Sequence, residues 1–307
     1  MSAKTSTPSL CLGTAQFGMN YGINNFTGQP SLSDVFSILD HAIPAGINFI
    51  DTATAYGNAE DRLGQYHEAS TALSQIHLIS KLRPNLKFSS RSDTTNQIHE
   101  ELLSSLRQLQ QSYLYGYLLH TPQNFYNPNV ITALQFCRQE RLIKHFGVSI
   151  YETSQAMDIV RSGLVDIIQI PYNIFDTRLD YTDFFHIARE NNVQVFARSI
   201  FIQGLLLMPE NKLPVHLARA GTLLRKFDQV IERYGFTRPE AAFLFAYTHP
   251  LIDVIIFGVD TLEHLKTDLS IRMKSNLFAA CREELTATFP NIERRIIIPS
   301  LWETKPN

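Results

Sequence analysis

The chain alternates short apolar runs with longer amphipathic segments along almost its whole length. Eight apolar runs are typical of strands, at residues 8–14, 47–51, 76–81, 114–120, 145–150, 166–171, 193–198 and 253–258. Helix-like stretches separate them, at 33–44, 58–67, 95–109, 129–140, 153–162, 180–190, 216–234 and 261–271, with an extra helix at 239–247 that Pro239 starts. This alternation indicates parallel strands covered by helices. Because eight strand–helix units close a barrel, we predict an α/β fold of the (β/α)8 TIM barrel type.

The chain has 307 residues, a length that one such barrel routinely uses. No Gly/Ser-rich linker or long charge run divides it, so we predict a single barrel domain over residues 1–307. Three segments are longer than ordinary connections, at 15–31, 199–215 and the tail after 272. Loops that follow barrel strands lie at the carboxyl-terminal face, where ligands bind.

Composition excludes several classes of function. The net charge is only −2, with acids and bases interspersed, so we expect no nucleic-acid partner. The chain shows no signal-peptide core and no membrane-length apolar run, and its three cysteines form no CxxC motif. The ten histidines have no metal-ligand spacing, so we expect no metal. These features favour a cytoplasmic protein without a membrane partner.

Four chemically active residues follow the predicted strands. Asp51 ends an apolar run and Tyr56 lies in the small-residue loop after it, while Lys81 and His120 end the next two runs. A phenol can protonate a developing alkoxide, a nearby ammonium lowers the pKa of that phenol, and a carboxylate holds the ammonium. Each residue also has a structural interpretation, as a helix cap, a loop contact, a solvated strand end or a core histidine. Their combination favours proton transfer in carbonyl chemistry, which requires a nicotinamide as hydride donor.

Several blocks in this order resemble the aldo-keto reductase superfamily. They are residues 12–18 (LGTAQFG), 48–60 (NFIDTATAYGNAE), 118–122 (LLHTP), 146–149 (FGVS), 169–173 (QIPYN) and 203–206 (QGLL). The resemblance implies that Tyr56 donates the proton, Lys81 assists it, Asp51 anchors the lysine and His120 orients the carbonyl. It also implies a small carbonyl substrate and a cofactor, NADP(H), that lies extended across the mouth of the barrel.

The resemblance implies nicotinamide contacts at Thr14, Asp51, Ser149 and Gln169. Ile150 replaces the asparagine that usually follows the serine, so one amide contact is missing or supplied elsewhere. No GxGxxG fingerprint follows a strand, which argues against a Rossmann domain.

Two further blocks depart from the family pattern. Arg198 stands where the family usually has an aromatic residue that stacks on the nicotinamide, and Ser199 begins the loop beside the pyrophosphate. A guanidinium can stack on a ring, but Arg198 can equally be a salt-bridge partner in the mouth.

After the last strand, Gly258 leads into a helix whose amides can hold a phosphate. Family members specific for NADP(H) usually carry cationic or neutral polar residues there, whereas this chain has Asp260, His264 and Asp268. Asp260 with Glu263 also matches a helix capping box. NADP(H) is therefore the expectation from the family, and NAD(H) the alternative that these residues favour.

The leading hypothesis is an NAD(P)H-dependent reductase of aldehydes or ketones, with a sugar or small aldehyde suggested by the bacterial-type blocks TAQFG and ARSIFIQGLL. An alternative is a nucleotide-binding regulatory subunit with little turnover, like the barrel partners of potassium channels. A barrel isomerase or lyase would need a metal cluster or a phosphate loop, and the sequence has neither. The oligomeric state and the direction of the reaction stay open.

Overall fold

Eight parallel strands form a closed barrel in the computed structural model, which describes residues 7–302. The strands are β1 Ser9–Gly13, β2 Ile47–Asp51, β3 His77–Leu82, β4 Leu114–Leu119, β5 Ile143–Ser149, β6 Ile167–Pro171, β7 Gln194–Arg198 and β8 Val254–Gly258. Each strand pairs with the next along the chain, and β8 closes the barrel on β1. The predicted (β/α)8 TIM barrel is confirmed.

Side chains alternate across the barrel wall, as the two-residue period of a strand requires. The inward set is a compact apolar cluster with Phe49, Ile79, Tyr115, Phe196 and Ile256 among its members. The outward set packs under the helices in a second and larger cluster. The interior of the barrel is therefore filled with side chains, and ligands of such barrels bind at the carboxyl-terminal mouth.

Helices cover the outside of the barrel and fill the chain after the last strand. Within the described residues the α-helices are α1 Ala15–Gly18, α2 Leu32–Ala42, α3 Ala59–Ala69, α4 Arg91–Gln108, α5 Pro128–Gln139, α6 Thr153–Ser162, α7 Phe184–Glu190, α8 Ala220–Arg233, α9 Arg238–Tyr247, α10 Leu262–Ile271, α11 Ala279–Thr288 and α12 Arg294–Ile297. Short 3-10 helices lie at Thr71–Gln75, Pro122–Tyr126, Arg178–Tyr181, Ile202–Leu207, Glu210–Lys212, Val215–Leu217, Arg272–Leu277 and Pro299–Leu301. None of the helices within residues 7–302 is long and apolar enough to cross a membrane.

Two predicted regions differ from the structure. The stretch predicted as one helix at 180–190 is a 3-10 turn followed by α7, with Thr182 between them accepting a hydrogen bond from Phe184 N. The tail after 272, predicted only as a long segment, contains α11 and α12. The predicted extra helix is α9, which begins at Arg238 with Pro239 in its first turn, and Thr237 and Glu240 form its capping box.

The loops after β1 and β7 meet over the mouth. Ile23 N donates a hydrogen bond to Gln203 O at 2.9 Å. Gly204 lies against Asn24, where an added Cβ would come within 2.6 Å of the asparagine side chain. Both of the long loops noted in the sequence therefore bound one side of the mouth.

Candidate active site

A buried ion pair joins the carboxyl ends of β2 and β3. Lys81 Nζ lies 2.6 Å from Asp51 Oδ2, and the two side chains are 1% and 5% exposed. The ammonium also donates to Thr52 O at 2.9 Å. Parallel pairing of β2 with β3 places these side chains at the same edge of the barrel. Removal of either charge would leave the other buried and uncompensated.

Tyr56 completes a chain of three groups. Its hydroxyl lies 3.2 Å from Lys81 Nζ, and its half-buried ring faces the mouth. The loop that carries it is fixed to β3, because the Thr54 hydroxyl donates to Lys81 O at 2.8 Å. Gly57 follows at a positive φ of 56° and packs against Gly18, where a side chain has no room. The position of the phenol is thus set by backbone contacts.

Burial and charge act in opposite directions on these groups. Burial lowers the pKa of the Lys81 ammonium, but Asp51 and Tyr56 outweigh it and the net pKa is raised. Burial raises the pKa of the Tyr56 hydroxyl, while Lys81 and Arg198 lower it, and the net pKa is raised. The expected lowering by Lys81 is therefore present but smaller than the effect of burial. The phenol keeps its proton at neutral pH and is available as an acid.

His120 follows β4 and faces Tyr56. The two ring centroids are 6.0 Å apart, with the rings nearly perpendicular. Burial, followed by the charges of Lys81 and Arg198, lowers the pKa of His120 to about 3. The imidazole is therefore neutral at physiological pH and carries one N–H donor. Its Nδ1 is buried and has no partner among residues 7–302.

The buried amide of Gln169 provides a place for a carboxamide. Its Nε2 donates to Asp51 Oδ1, while its Oε1 has no hydrogen-bond partner in the described part of the chain. A buried acceptor without a donor costs free energy unless a ligand supplies one. Ser149, at the end of the neighbouring strand, is also buried. The amide N–H group of a nicotinamide carboxamide could donate to Gln169 Oε1, and its carbonyl oxygen could accept from the Ser149 hydroxyl.

Thr14, also predicted as a cofactor contact, has a structural partner in the structure. Its hydroxyl and its backbone N–H both lie 3.0 Å from Asp51 O, so it ties the end of β1 to the end of β2. The side chain is fully buried. Thr14 therefore helps to fix the backbone of Asp51.

Arg198 ends β7, and its guanidinium lies over an aromatic ring that the sequence did not predict as a site residue. The guanidinium carbon is 4.1 Å from the centroid of Tyr151. Its Nε donates to Ser149 Oγ at 3.2 Å and its Nη2 to Ile150 O at 2.8 Å. Its Nη1 donates to the hydroxyl of Ser199, which has a positive φ of 60°. The guanidinium therefore contacts the backbone of Ile150, the residue that replaces the family's asparagine.

The end of β8 and the start of α10 contain the remaining predicted residues. Gly258 packs against the side chain of Gln16, which also interacts with Asp260. Asp260 Oδ2 lies 3.9 Å from His264 Nδ1, and its Oδ1 has no hydrogen-bond partner among residues 7–302. Asp268 is buried one turn further along the helix, and burial raises its pKa to about 8.

The capping box predicted from Asp260 and Glu263 is wrong. The N-cap of α10 is Thr261, whose hydroxyl accepts a hydrogen bond from His264 N at 3.1 Å. The strand ends at Gly258, as predicted, and the helix begins at Leu262, one residue later than a cap at Asp260 would require. Asp260 is therefore free of a capping role.

Three residues of the mouth were not predicted as site residues. Tyr151 lies beneath Arg198, Gln203 acts on the pKa of Tyr21, and Gln16 acts on that of Asp260. Each lies in a segment that follows a barrel strand, and each pairing joins segments after different strands. The one sequence signal was the aromatic and amide content of those loops.

The arrangement can transfer a proton between Tyr56 and a carbonyl oxygen in the mouth, with Lys81 stabilising the phenolate that results and His120 donating a hydrogen bond to the same oxygen. Within residues 7–302 no three His, Cys, Asp or Glu side chains come together as metal ligands.

Known proteins share both the sequence pattern and the fold. The sequence signature of the Aldo/keto reductase family matches residues 9–281. The uncharacterized oxidoreductase YqkF of Bacillus subtilis is 23% identical over 275 residues, which cover 84% of this chain and 89% of that protein. The NAD/NADP-dependent indole-3-acetaldehyde reductase of Schizosaccharomyces pombe is 28% identical over 54% of each chain. The solved holo form of aldo-keto reductase AKR11C1 from Bacillus halodurans superposes with a TM-score of 0.73 at 20% identity, covering 96% of this chain and 98% of that one. The chain belongs to the aldo/keto reductase family.

Proposed function

We propose that the protein is a single-domain NAD(P)H-dependent reductase that converts an aldehyde or ketone to an alcohol. The contact that carries this proposal is the chain of groups from Asp51 through Lys81 to the Tyr56 hydroxyl, with separations of 2.6 and 3.2 Å. It places an acid at the mouth of the barrel, next to a neutral imidazole. The same residues could catalyse the reverse reaction, oxidation of the alcohol. We propose that reduction of the aldehyde is the direction in the cell.

Each residue has a separate task in this reaction. Tyr56 gives its proton to the carbonyl oxygen, and Lys81 stabilises the phenolate left behind. Asp51 keeps the ammonium in place, and neutral His120 donates a hydrogen bond that orients the carbonyl. General acid catalysis of this kind contributes about a hundred- to ten-thousandfold in rate. The bound nicotinamide supplies the hydride, which no side chain can provide.

The chain holds the cofactor through residues on five strands, in the segments that follow strands, and on one helix in this proposal. Gln169 and Ser149 contact the carboxamide, with Thr14 and Asp51 below them, while Arg198 and Ser199 lie beside the ring and the pyrophosphate. Gly258 and the start of α10 receive the adenosine phosphate, next to Asp260, His264 and Asp268. The support is the unpaired Oε1 of Gln169 and the open position of Asp260. A carboxylate at Asp260 disfavours the 2′-phosphate, so we expect NADH to compete well with NADPH.

A small aldehyde is the proposed substrate class. The fission yeast relative is named as a reductase of indole-3-acetaldehyde, and the mouth here has aromatic walls that include Tyr21 and Tyr151. The three cysteines are buried free thiols, which fits a reducing compartment such as the cytoplasm.

The test is a fluorescence titration of the purified protein with NADPH and separately with NADH, followed by turnover of a panel of aldehydes with the cofactor that binds. We expect saturable binding of at least one cofactor and measurable oxidation of it by an aldehyde. Binding without any turnover would instead support the regulatory-subunit alternative. If neither cofactor bound at millimolar concentration, the site would lack its hydride source and the proposal would fail.

A further inference from the structure

Arg198 forms no ion pair with a carboxylate within the part of the chain that the structure describes. The ion pairs among residues 7–302 do not include it, although its neighbour Arg178 is held by both oxygens of Asp176. Its own contacts are to the Ser149 and Ser199 hydroxyls, to Ile150 O and to the face of Tyr151. These partners accept hydrogen bonds and stack, but none carries a formal charge. The charge is therefore fixed in position and unneutralised.

The support under Arg198 is rigid. Arg178 Nη2 donates to Tyr151 O at 2.9 Å, and the same guanidinium forms a bidentate pair with Asp176. Tyr151 is thus held from behind while its ring carries Arg198 in front. A side chain fixed in this way presents its charge at a defined distance from the reacting atoms, without the loss of entropy that a mobile arginine would suffer on ligand binding.

The field of Arg198 reaches the reaction centre. The guanidinium lowers the pKa of the Tyr56 hydroxyl and that of His120, on the opposite wall of the mouth. The other two charges there, Lys81 and Asp51, form an ion pair with each other. His120 is neutral and adds no charge. Arg198 is therefore the charge that acts on Tyr56 and His120 without an ion-pair partner within residues 7–302.

Hydride transfer changes the charge at the reaction centre. A reduced nicotinamide bound there would supply a hydride to the carbonyl carbon, while Tyr56 would give its proton to the carbonyl oxygen. The nicotinamide ring is neutral in the reduced cofactor and carries one positive charge in the oxidised cofactor. A fixed cation nearby disfavours the second state by Coulomb repulsion, and the half-buried setting weakens screening by salt.

We propose that Arg198 makes this site discriminate between the redox states of the cofactor. It weakens binding of the oxidised form relative to binding of the reduced form. The inference rests on the proposed function and adds to it a reason for the guanidinium at the end of β7. The consequence is rapid release of the oxidised cofactor after each reduction, at the expense of a less favourable equilibrium on the enzyme. The protein is thereby suited to repeated reduction and poorly suited to alcohol oxidation, whose first step requires binding of the oxidised form.

The test compares dissociation constants and does not depend on turnover. Kd values for the reduced and oxidised forms of the cofactor that binds are measured by calorimetry on wild-type protein, Arg198→Gln and Arg198→Lys. The ratio of oxidised to reduced Kd should fall about fivefold to tenfold in Arg198→Gln, from Coulomb repulsion across a few ångströms at high effective dielectric. Arg198→Lys keeps the charge and should keep the ratio within about twofold.

The matched control is Arg83→Gln. Arg83 is exposed and pairs with Glu101 at 3.1 Å. Its replacement by glutamine changes the net charge by the same amount as Arg198→Gln. Its ratio should equal that of wild type. A uniform loss of affinity caused by disturbance of Tyr151 or Ser149 cancels in the ratio. If wild type binds both forms and Arg198→Gln leaves the ratio unchanged, the inference alone is overturned. If wild type binds neither form, the proposed function fails with it.

Discussion

Near the exits of β2 and β3, the buried ammonium of Lys81 contacts Asp51, Thr52 and Tyr56, so every charge there has a partner. At the exit of β8 the situation is reversed, since Asp260 Oδ1 has no hydrogen bond and buried Asp268 has no ion-pair partner within residues 7–302. Both regions border the same mouth. The first is organised before any ligand arrives, as a reacting centre should be. The second contains carboxyl oxygens that lack a hydrogen-bond or ion-pair partner within residues 7–302, and a ligand or a proton could supply one.

The difference suggests that the two regions tolerate mutation in opposite ways. At the paired end, removal of one group leaves another buried and unsatisfied, so both activity and stability should fall. At the unpaired end, removal of a carboxylate relieves a cost that the folded protein already carries.

Tyr56→Phe should have the largest effect at the paired end. It removes one hydroxyl and leaves the ring, so we expect a loss of about a hundred- to ten-thousandfold in kcat with nearly unchanged cofactor Kd. Steady-state kinetics with NADPH or NADH measure the first quantity and fluorescence titration the second. Wild-type turnover in Tyr56→Phe would show that another group delivers the proton.

Lys81→Met should reduce stability as well as activity. The methionine fills the space of the lysine stem, but Asp51 keeps its charge in a buried position with only Gln169 as a side-chain donor. We expect a loss of about 3–5 kcal/mol in the free energy of unfolding at pH 7, measured by urea denaturation. The double variant Asp51→Asn/Lys81→Met removes the uncompensated charge and should recover part of that loss. Equal stability of Lys81→Met and wild type would mean that water or a rearrangement neutralises Asp51.

The same division explains what the sequence could predict. Asp51, Lys81, Ser149, Gln169 and Arg198 lie at strand ends, and the periodicity of strands places them together at one edge of the barrel once eight strands are recognised. Their proximity therefore follows from the fold alone. His120 and Tyr56 follow strands closely enough to share this property.

The environment of Arg198 and of the β8 end could not be predicted in the same way. The stacking of Arg198 on Tyr151 and the contact of Gln16 with Gly258 depend on how loops after different strands pack against each other. The capping motif at Asp260 was a valid local pattern, yet the adjacent Thr261 caps the helix through its own hydroxyl. The sequence thus predicted the start of the helix to within one residue, but two neighbouring residues that can both cap are not distinguished by the local pattern.

Asp268→Asn should stabilise the unpaired end. Burial raises the pKa of Asp268 from 3.8 to about 8, so the folded protein holds a proton that the unfolded chain has released. The stability of wild type therefore falls as pH rises from about 4 to about 8. The Asp268→Asn variant lacks this fall, and we expect it to be more stable than wild type by on the order of 5 kcal/mol at pH 8, with little difference near pH 4.

Denaturation curves at several pH values measure this effect. Glu263→Gln is the control, because Glu263 is exposed on the same helix and should change stability by less than about 0.5 kcal/mol at any of these pH values. A pH-independent difference between Asp268→Asn and wild type would mean that the carboxyl ionises normally in the folded protein.

Asp260→Ser should give the smallest effect, on cofactor preference. The carboxylate lies directly before the N-cap of α10, has an unpaired oxygen and is only partly neutralised by His264 at 3.9 Å. A serine there removes the repulsion of a 2′-phosphate and adds a donor, so NADPH should gain about tenfold in affinity relative to NADH. Glu263→Gln removes an equal charge from an exposed position of the same helix and should leave the ratio of the two Kd values unchanged. If both variants shifted the ratio equally, the effect would come from net charge on α10. If neither did, the 2′ position would lie away from Asp260, and the unpaired carboxylate would need another explanation, such as a hydrogen bond to a ribose hydroxyl that both cofactors share.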